Sequence, residues 1–468
     1  MSVSSITVAP VWPEFCRAGL VLALAVAMLP SGKAMAQGAG ISIIRDAETE
    51  QLLRDYTAPV FRAAGIPTGA AKVILVGDRS FNAFVANGQK VFVNVGALME
   101  SKTPNEIIGV LAHETGHIAG GHLARQRDAV AAATIMSVAG MLVSAGAIAA
   151  QAGSHGKVGT DANGIAGVIL GPQEIIRRSL LAYQRGEEIA ADRAGVKFLT
   201  ATHQSAKGLL TTLERFANDS LFKSTSIDPY LITHPLPAER ISNLQTSAQA
   251  SPNYATQDSP ALQARHDLMR AKLFGFLAEP SEVARRYPLT DTTLAGRYAR
   301  AINAYRFGRL AEALPQIDGL IAAQPSNPYF HELKGQALLE AGRAGQAIAP
   351  LRRANALAAD AAPIRVMLGH ALVASDTKAS TIEAIRVLTN ATHRDSDSSE
   401  AFEFLAMAYD RQGQQAQAQL AAAQGLFVSG KFVEARTQAS RAQAQLPKDG
   451  PGWLKADDIL NYRPPDLN

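Results

Sequence analysis

Two histidines four residues apart, with a glutamate beside the first, do most to limit what this chain can become: His113-Glu114-Thr115-Gly116-His117. On a helix a four-residue step turns about 40° and rises roughly 6 Å, so both imidazoles face one point. Glu114 lies about 100° round from His113, beside that point. Catalytic zinc takes three protein ligands and keeps a fourth place open for water. The fold must therefore deliver a third ligand from elsewhere. The run Arg185-Gly186-Glu187-Glu188-Ile189-Ala190-Ala191-Asp192 can do so on a second helix, because Glu188 and Asp192 are again four apart and share a face. Glu188 can bind the metal, and Asp192 can accept a proton from a ligand histidine and fix its tautomer. Glu187, the rival ligand, points about 100° away and lacks that partner. Glu114 is placed to take a proton from an activated water and pass it to a leaving amine, which is peptide-bond hydrolysis.

The flanking sequence reads as α+β. Ile44, Leu52, Leu53, Tyr56, Val60 and Phe61 recur near helical spacing over 40–65, with Pro59 predicting a kink or an end. Lys72–Val76, Ala83–Ala86 and Val91–Val95 read as strands, the last two joined by a tight turn at Asn87-Gly88, and Gly96 ends the sheet. Thr103-Pro104-Asn105-Glu106 has capping-box spacing, so the motif helix starts there and is expected to run to about Arg127. The second ligand helix is expected over about 173–199.

Residues 129–156 contain no Lys, Arg, Asp or Glu. Three readings stand for 129–150: a lid-like or buried helix over the site, a helix dipping into a membrane surface, and a true span. A span there would separate the two halves of the site. From about 263 the chain turns Ala/Leu-rich with an internal period. Gly308 and Gly342, Ala313 and Ala347, and Gly335 and Gly369 are each 34 apart, which matches tetratricopeptide repeats. Gly342 to Gly413 is 71, or two periods plus three, which places an insertion near Asp376–Ser380. Such units stack, because one alone cannot bury its apolar face.

The expected division is a leader over 1–36, a peptidase domain over 37–250, a linker over 251–262 and a repeat domain over 263–468. The leader reading rests on Arg17, the apolar run Ala18–Leu29 and the small-x-small site Ala34-Met35-Ala36; an uncleaved anchor is the other reading. Cys16, the one cysteine, precedes that run, so cleavage leaves a protein without thiols, which suits a periplasm. A net charge of +4 without a long basic run gives no nucleic-acid footprint.

The motif pair, in the form Arg-x-x-Glu-x-x-Ala-Asp-x-x-Gly for its second half, resembles peptidase family M48. Ser80–Gln89 and Thr233-His234-Pro235 resemble the same family, and the likeness covers about residues 40–245. With the leader and the repeats, the layout is similar to the periplasmic, repeat-bearing branch of that family in Gram-negative bacteria. The resemblance implies a mostly helical, zincin-type (gluzincin-like) domain with a small sheet, followed by an all-α solenoid. It implies one Zn2+ per chain on His113, His117 and Glu188, with Glu114 as general base and Asp192 in support. It also implies work on misfolded or stalled outer-membrane proteins, with the repeats meeting a client or the outer-membrane assembly machinery. Segment 129–150 is then a lid or a peripheral membrane contact. His234 stays open between an oxyanion donor, an inhibitory fourth ligand and a loop anchor; Arg240 stays open between substrate binding and a surface salt bridge. His122, five past His117, is off the ligand face and reads as supporting. A repeat-based chaperone or scaffold with a structural or latent zinc is the alternative, and Glu114, which a structural site would not need, favours the enzyme.

Overall fold

The computed structural model describes residues 42–464 apart from 68, 87, 127, 129–183, 223–233 and 236–237. The expected leader and the apolar segment 129–150 lie outside the described residues. Among the described residues no helix is long and apolar enough to cross a membrane. Ile43–Asn468 forms one compact unit.

Helix α1 (Ala47–Ala63) starts at Asp46, whose side chain accepts from Thr49 N at 2.8 Å. Its buried face is Leu52, Leu53, Tyr56 and Val60, the apolar stripe of the sequence. Two expectations change. Ile44 belongs to strand β1 (Ile43–Ile44), and the helix continues past Pro59 to Ala63 before Gly65 turns left-handed at φ 73°. Strands β2 (Lys72–Val76), β3 (Ala83–Ala86) and β4 (Lys90–Asn94) complete a four-stranded sheet in the order β1-β2-β4-β3. β2 runs parallel to β4, from Lys72 opposite Lys90 to Val76 opposite Asn94, while β3 and β4 are antiparallel. Ala86 pairs with Lys90, so three residues join the hairpin rather than a two-residue Asn-Gly turn; Gly88 supplies the positive φ, and Asn87 is outside the described residues. Among the described residues β3 is thus an edge strand.

Helix α2 (Val95–Glu100) leads to the motif helix α3 (Pro104–Gly120), capped by Thr103 and opened by Pro104. The box is offset by one: the Glu106 carboxylate accepts from Lys102 N at 3.2 Å, one residue before the cap. α3 is buried along Ile107, Ile108, Val110, Leu111 and Ala112. It ends earlier than expected, because Gly121 adopts φ 65° and breaks it before a separate helical turn at 122–126. The second ligand helix, α4, is described over 184–201. Helix α5 (Lys207–Phe222) crosses α3 at glycines: a methyl on Gly109 would lie 2.7 Å from Leu209 N, and one on Gly208 would lie 2.3 Å from Asn105 O. Helix α6 (Ala238–Gln249) follows the His234 loop.

Residues 251–259 are pinned to this body. Ser205 Oγ donates to Tyr254 O at 2.6 Å, Asn253 Nδ2 donates to Thr200 O at 3.0 Å, and Asn105 N donates to Asp258 Oδ2 at 2.9 Å. Helix α7 (Pro260–Leu277) then fastens onto α1 and α2: Tyr56 Oη and His266 Nδ1 are 3.0 Å apart, and His266 Nε2 donates to Ser101 O at 3.0 Å. One hydrophobic core consequently runs from Leu52 through Leu111 and Met269 to Ala337.

Beyond the short α8 (Pro280–Arg286) the helices come in antiparallel pairs: α9 (Leu294–Arg306) with α10 (Leu310–Ala323), α11 (Pro328–Glu340) with α12 (Ala344–Leu357), α13 (Ala362–Ala374) with α14 (Lys378–Arg394), and α15 (Ser399–Arg411) with α16 (Gln415–Val428). α17 (Phe432–Gln443) and α18 (Pro451–Asn461) close the array. Gly308, Gly342 and Gly413 turn left-handed between paired helices, and Asp376, 34 residues after Gly342, takes that place at φ 52°. The three extra residues therefore fall after Asp376, and α14 absorbs them as added helix: it has 17 residues where α12 has 14.

Because Gly208 meets backbone rather than a yielding side chain, Gly208→Ala should destabilise the protein by about 1–3 kcal/mol. Urea denaturation followed by circular dichroism measures it, and an unchanged midpoint would contradict the close crossing.

Candidate metal centre

The centre forms where α3 and α4 touch. A methyl on Gly116 would lie 2.7 Å from Ala191 O, and one on Gly195 would lie 3.2 Å from His113 N. Glycine at 116 is what lets the two backbones come this near, Gly195 eases a second tight contact, and the approach brings Glu188 and Asp192 to the two histidines.

Asp192 Oδ1 lies 2.8 Å from His113 Nδ1, so that nitrogen carries the proton and Nε2 keeps its lone pair. His234 Nε2 lies 3.2 Å from the carbonyl of Ala83 on β3 and donates to it, which leaves Nδ1 with the lone pair. His117 Nδ1 is 2.9 Å from His122 Nδ1, and its Nε2 turns to the same point as the others. Once a metal displaces the proton that metal-free His113 holds, three imidazole lone pairs and the Glu188 carboxylate converge on one point. His113 Nε2 is 3.1 Å from His117 Nε2, 3.4 Å from His234 Nδ1 and 3.4 Å from Glu188 Oε2. Glu188 Oε1 is 3.3 Å from His117 Nε2 and 3.2 Å from His234 Nδ1. Lone pairs held this close repel unless a cation sits among them. A tetrahedron with metal–ligand bonds of about 2.0–2.1 Å has edges of about 3.3–3.4 Å, so these five separations are of the size that the ligands of a bound metal ion take. These four residues are the group able to hold a metal ion among the described residues.

The charges around this point have identifiable causes. Burial opposes a charge on His113, yet Asp192 and Glu188 outweigh it and raise its pKa to about 9 in the metal-free chain. Burial takes His117 down to about 4. Burial works against ionising Glu188, but His113, His117 and His234 hold its pKa far below the usual carboxylate range. Burial likewise opposes Asp192, and Arg240 and His113 pull it down. Burial pushes the Glu114 carboxyl up, against the pull of His234 and His113. Glu114 is fully buried, with Oε1 3.4 Å from His234 Nε2, and among the described residues neither of its oxygens has a hydrogen-bond partner. A carboxyl kept dry beside a cation-seeking cluster is poised to exchange a proton there.

Every residue singled out in the sequence for this site comes together here: His113, His117 and Glu188 on the point, Asp192 behind His113, Glu114 beside it, and His234 at a fourth corner. Arg240 departs from both of its sequence readings. It is 1 % exposed, forked on Asp192 at 2.6 and 3.0 Å, and 2.8 Å from Glu188 Oε2, so it neither lies at the surface nor reaches outward. Its Nη1 also donates to Pro235 O at 3.3 Å, tying the His234 loop to α4. The signal was present: Arg240, Leu244 and Ala248 share one buried helical face, where an arginine has to be paired. The Ala83 carbonyl and the fold-back of His122 had no sequence signal, since both depend on backbone geometry.

Against known proteins, the model of Peptidase family M48 matches residues 47–248. The beta-barrel assembly-enhancing protease of Yersinia pestis is 27% identical over 351 residues, covering 73% of this chain and 68% of that protein. Its namesake from Escherichia coli (strain K12) is 25% identical over 349 residues, covering 71% and 66%. A putative beta-barrel assembly-enhancing protease of Vibrio cholerae is 29% identical over 267 residues, covering 55% and 51%. The matches span about two thirds of the first two relatives and half of the third. The family and these relatives make the chain a metallopeptidase.

Asp192→Asn should weaken metal affinity by about 10–100-fold, because it loosens the tautomer and orientation of His113. Titration against a competing chelator measures this, and wild-type affinity would show that His113 needs no such support.

Proposed function

With residues 47–248 forming a domain of peptidase family M48, we propose that this metallopeptidase is a zinc-dependent endopeptidase acting in the periplasm on misfolded or stalled outer-membrane proteins. The observation that carries the chemistry is the cluster of His113, His117, His234 and Glu188, with the Glu114 carboxyl, which accepts no hydrogen bond among the described residues, against it. His113, His117 and Glu188 hold the zinc, and Asp192 keeps His113 in its ligating tautomer. When bound, zinc supplies Lewis acidity to the scissile carbonyl and to the attacking water. Glu114 takes the proton of that water and delivers it to the leaving amine, and its raised pKa suits both halves of the task.

His234 occupies the fourth corner in this arrangement, which supports the reading of an inhibitory ligand that withdraws before a substrate enters. Its withdrawal frees the Ala83 carbonyl at the start of edge strand β3. An extended client segment added to that edge is bound through its backbone and not its sequence, which suits a quality-control protease. The relatives named for β-barrel assembly support the choice of client, and the helix pairs after residue 294 are the part that meets a client or the assembly machinery. The proposed domain division stays as read from the sequence, with the peptidase part over 37–250 and the repeats over 263–468.

Glu114→Gln should lower turnover of an unfolded outer-membrane protein on the order of 10²–10⁴-fold while zinc remains bound. Undiminished hydrolysis in that variant would remove Glu114 from the mechanism. Glu188→Ala should lose zinc by metal analysis. His234→Ala should raise basal hydrolysis; a loss of activity with zinc retained would make His234 an oxyanion donor instead.

A further inference from the structure

A second buried cluster lies away from the metal centre, where the start of α1 meets the helices after residue 260. Lys272 Nζ on α7 is 2.5 Å from Asp46 Oδ2, 3.4 Å from Glu332 Oε2 on α11 and 3.6 Å from Glu48 Oε2. Tyr298 Oη on α9 donates to Glu48 Oε2 at 3.0 Å. Lys272, Glu48 and Glu332 are each 4–6 % exposed. The ring of Tyr329 lies 5.6 Å from the Lys272 ammonium. On the outer side Arg45 spans Glu50 and Asp395, at 2.7 Å from each, and Arg265 lies further along α7, paired with Asp55. Two buried carboxyls, Glu48 and Glu332, and the partly buried Asp46 thus face a single ammonium. Fully ionised, the cluster would hold two uncompensated negative charges on carboxyls that are largely withdrawn from solvent, which favours the seated state keeping protons.

We propose that this cluster is a proton-operated clasp: Glu48 and Glu332 retain protons while the start of α1 is seated on α7, α9 and α11, and release them when it lifts away. Ala47 sits beside the clasp, fully buried against Ala354, Ala361 and Ile364, so opening uncovers an apolar patch where α12 leads into α13. The clasp makes the hold between the peptidase part and the repeats a function of pH, independently of any metal.

The sign follows from where the protons reside. Burial raises both carboxyls from the ordinary 4.5 to about 7, with Lys272 pulling the other way. Asp46, despite burial, is held low by Lys272 and stays ionised. A raised folded-state pKa contributes stability that is complete below about 4.5 and lost as pH rises through about 7. Between those limits the opening equilibrium rises on the order of tenfold per pH unit for each retained proton, and above them it levels off.

Hydrogen exchange of the full-length chain, corrected for intrinsic rates, tests this. Amides in the first turns of α1 and α11 should lose at least tenfold protection between pH 5.5 and 7.5, while those of α15 should not. A pH response in α1 no larger than in α15 overturns the clasp, and this comparison needs only the wild-type chain. The double variant Glu48→Gln with Glu332→Gln should flatten the response by removing both titrating groups. If the variant folds and keeps the wild-type pH dependence, the protons reside elsewhere and the proposal fails.

Discussion

The approach of α3 to α4 through Gly116 and Gly195 is the constraint on which the rest of the peptidase part depends. Ligand distances near 3.3 Å leave no room for a side chain between the helices, so the crossing has to be made of backbone. Everything else braces it. Gly109 and Gly208 let α5 lie as close along the same face of α3, about two turns nearer its start, and Arg240 ties Asp192 and Glu188 to the loop that brings His234. The metal-seeking character of the site is thus a packing property first: four lone-pair donors meet because two glycines allow it.

The histidines, Glu188 and Asp192 were readable because one helical period decides which side chains share a face, and that period survives any tertiary context. The strands were readable for the same reason, through apolar runs broken by Gly and polar residues. What could not be read was long-range. The parallel pairing of β2 with β4 has no local signature, and neither does the Ala83 carbonyl that fixes the His234 tautomer. Local exceptions also escaped. Gly121 broke a helix whose pattern continued past it, Pro59 failed to break one, and the three inserted residues near Asp376–Ser380 went into α14 as added helix. Arg240 is the instructive miss, since its position on a buried face was legible and only its partners were not.

The repeat period is equally physical. Gly335 and Gly369 sit where a Cβ would press on Leu351 and Leu388, so their spacing records how closely paired helices approach. Gly308, Gly342 and Gly413 record the left-handed turns between them. Two different requirements, small volume and positive φ, produce the same interval in the sequence, and Asp376 marks the turn where the second is met without glycine.

The single core that runs from Leu52 to Ala337 has a consequence for the order in which the molecule can be made. A chain growing from its N-terminus completes α1, the sheet and α3 well before α7 exists. Until Met269, Phe274 and Tyr298 arrive, the surfaces they will cover stay bare, and His266 has not yet reached Tyr56 and Ser101. The peptidase part thus cannot finish burying its own core from its own residues, and its completion waits on chain that is made later.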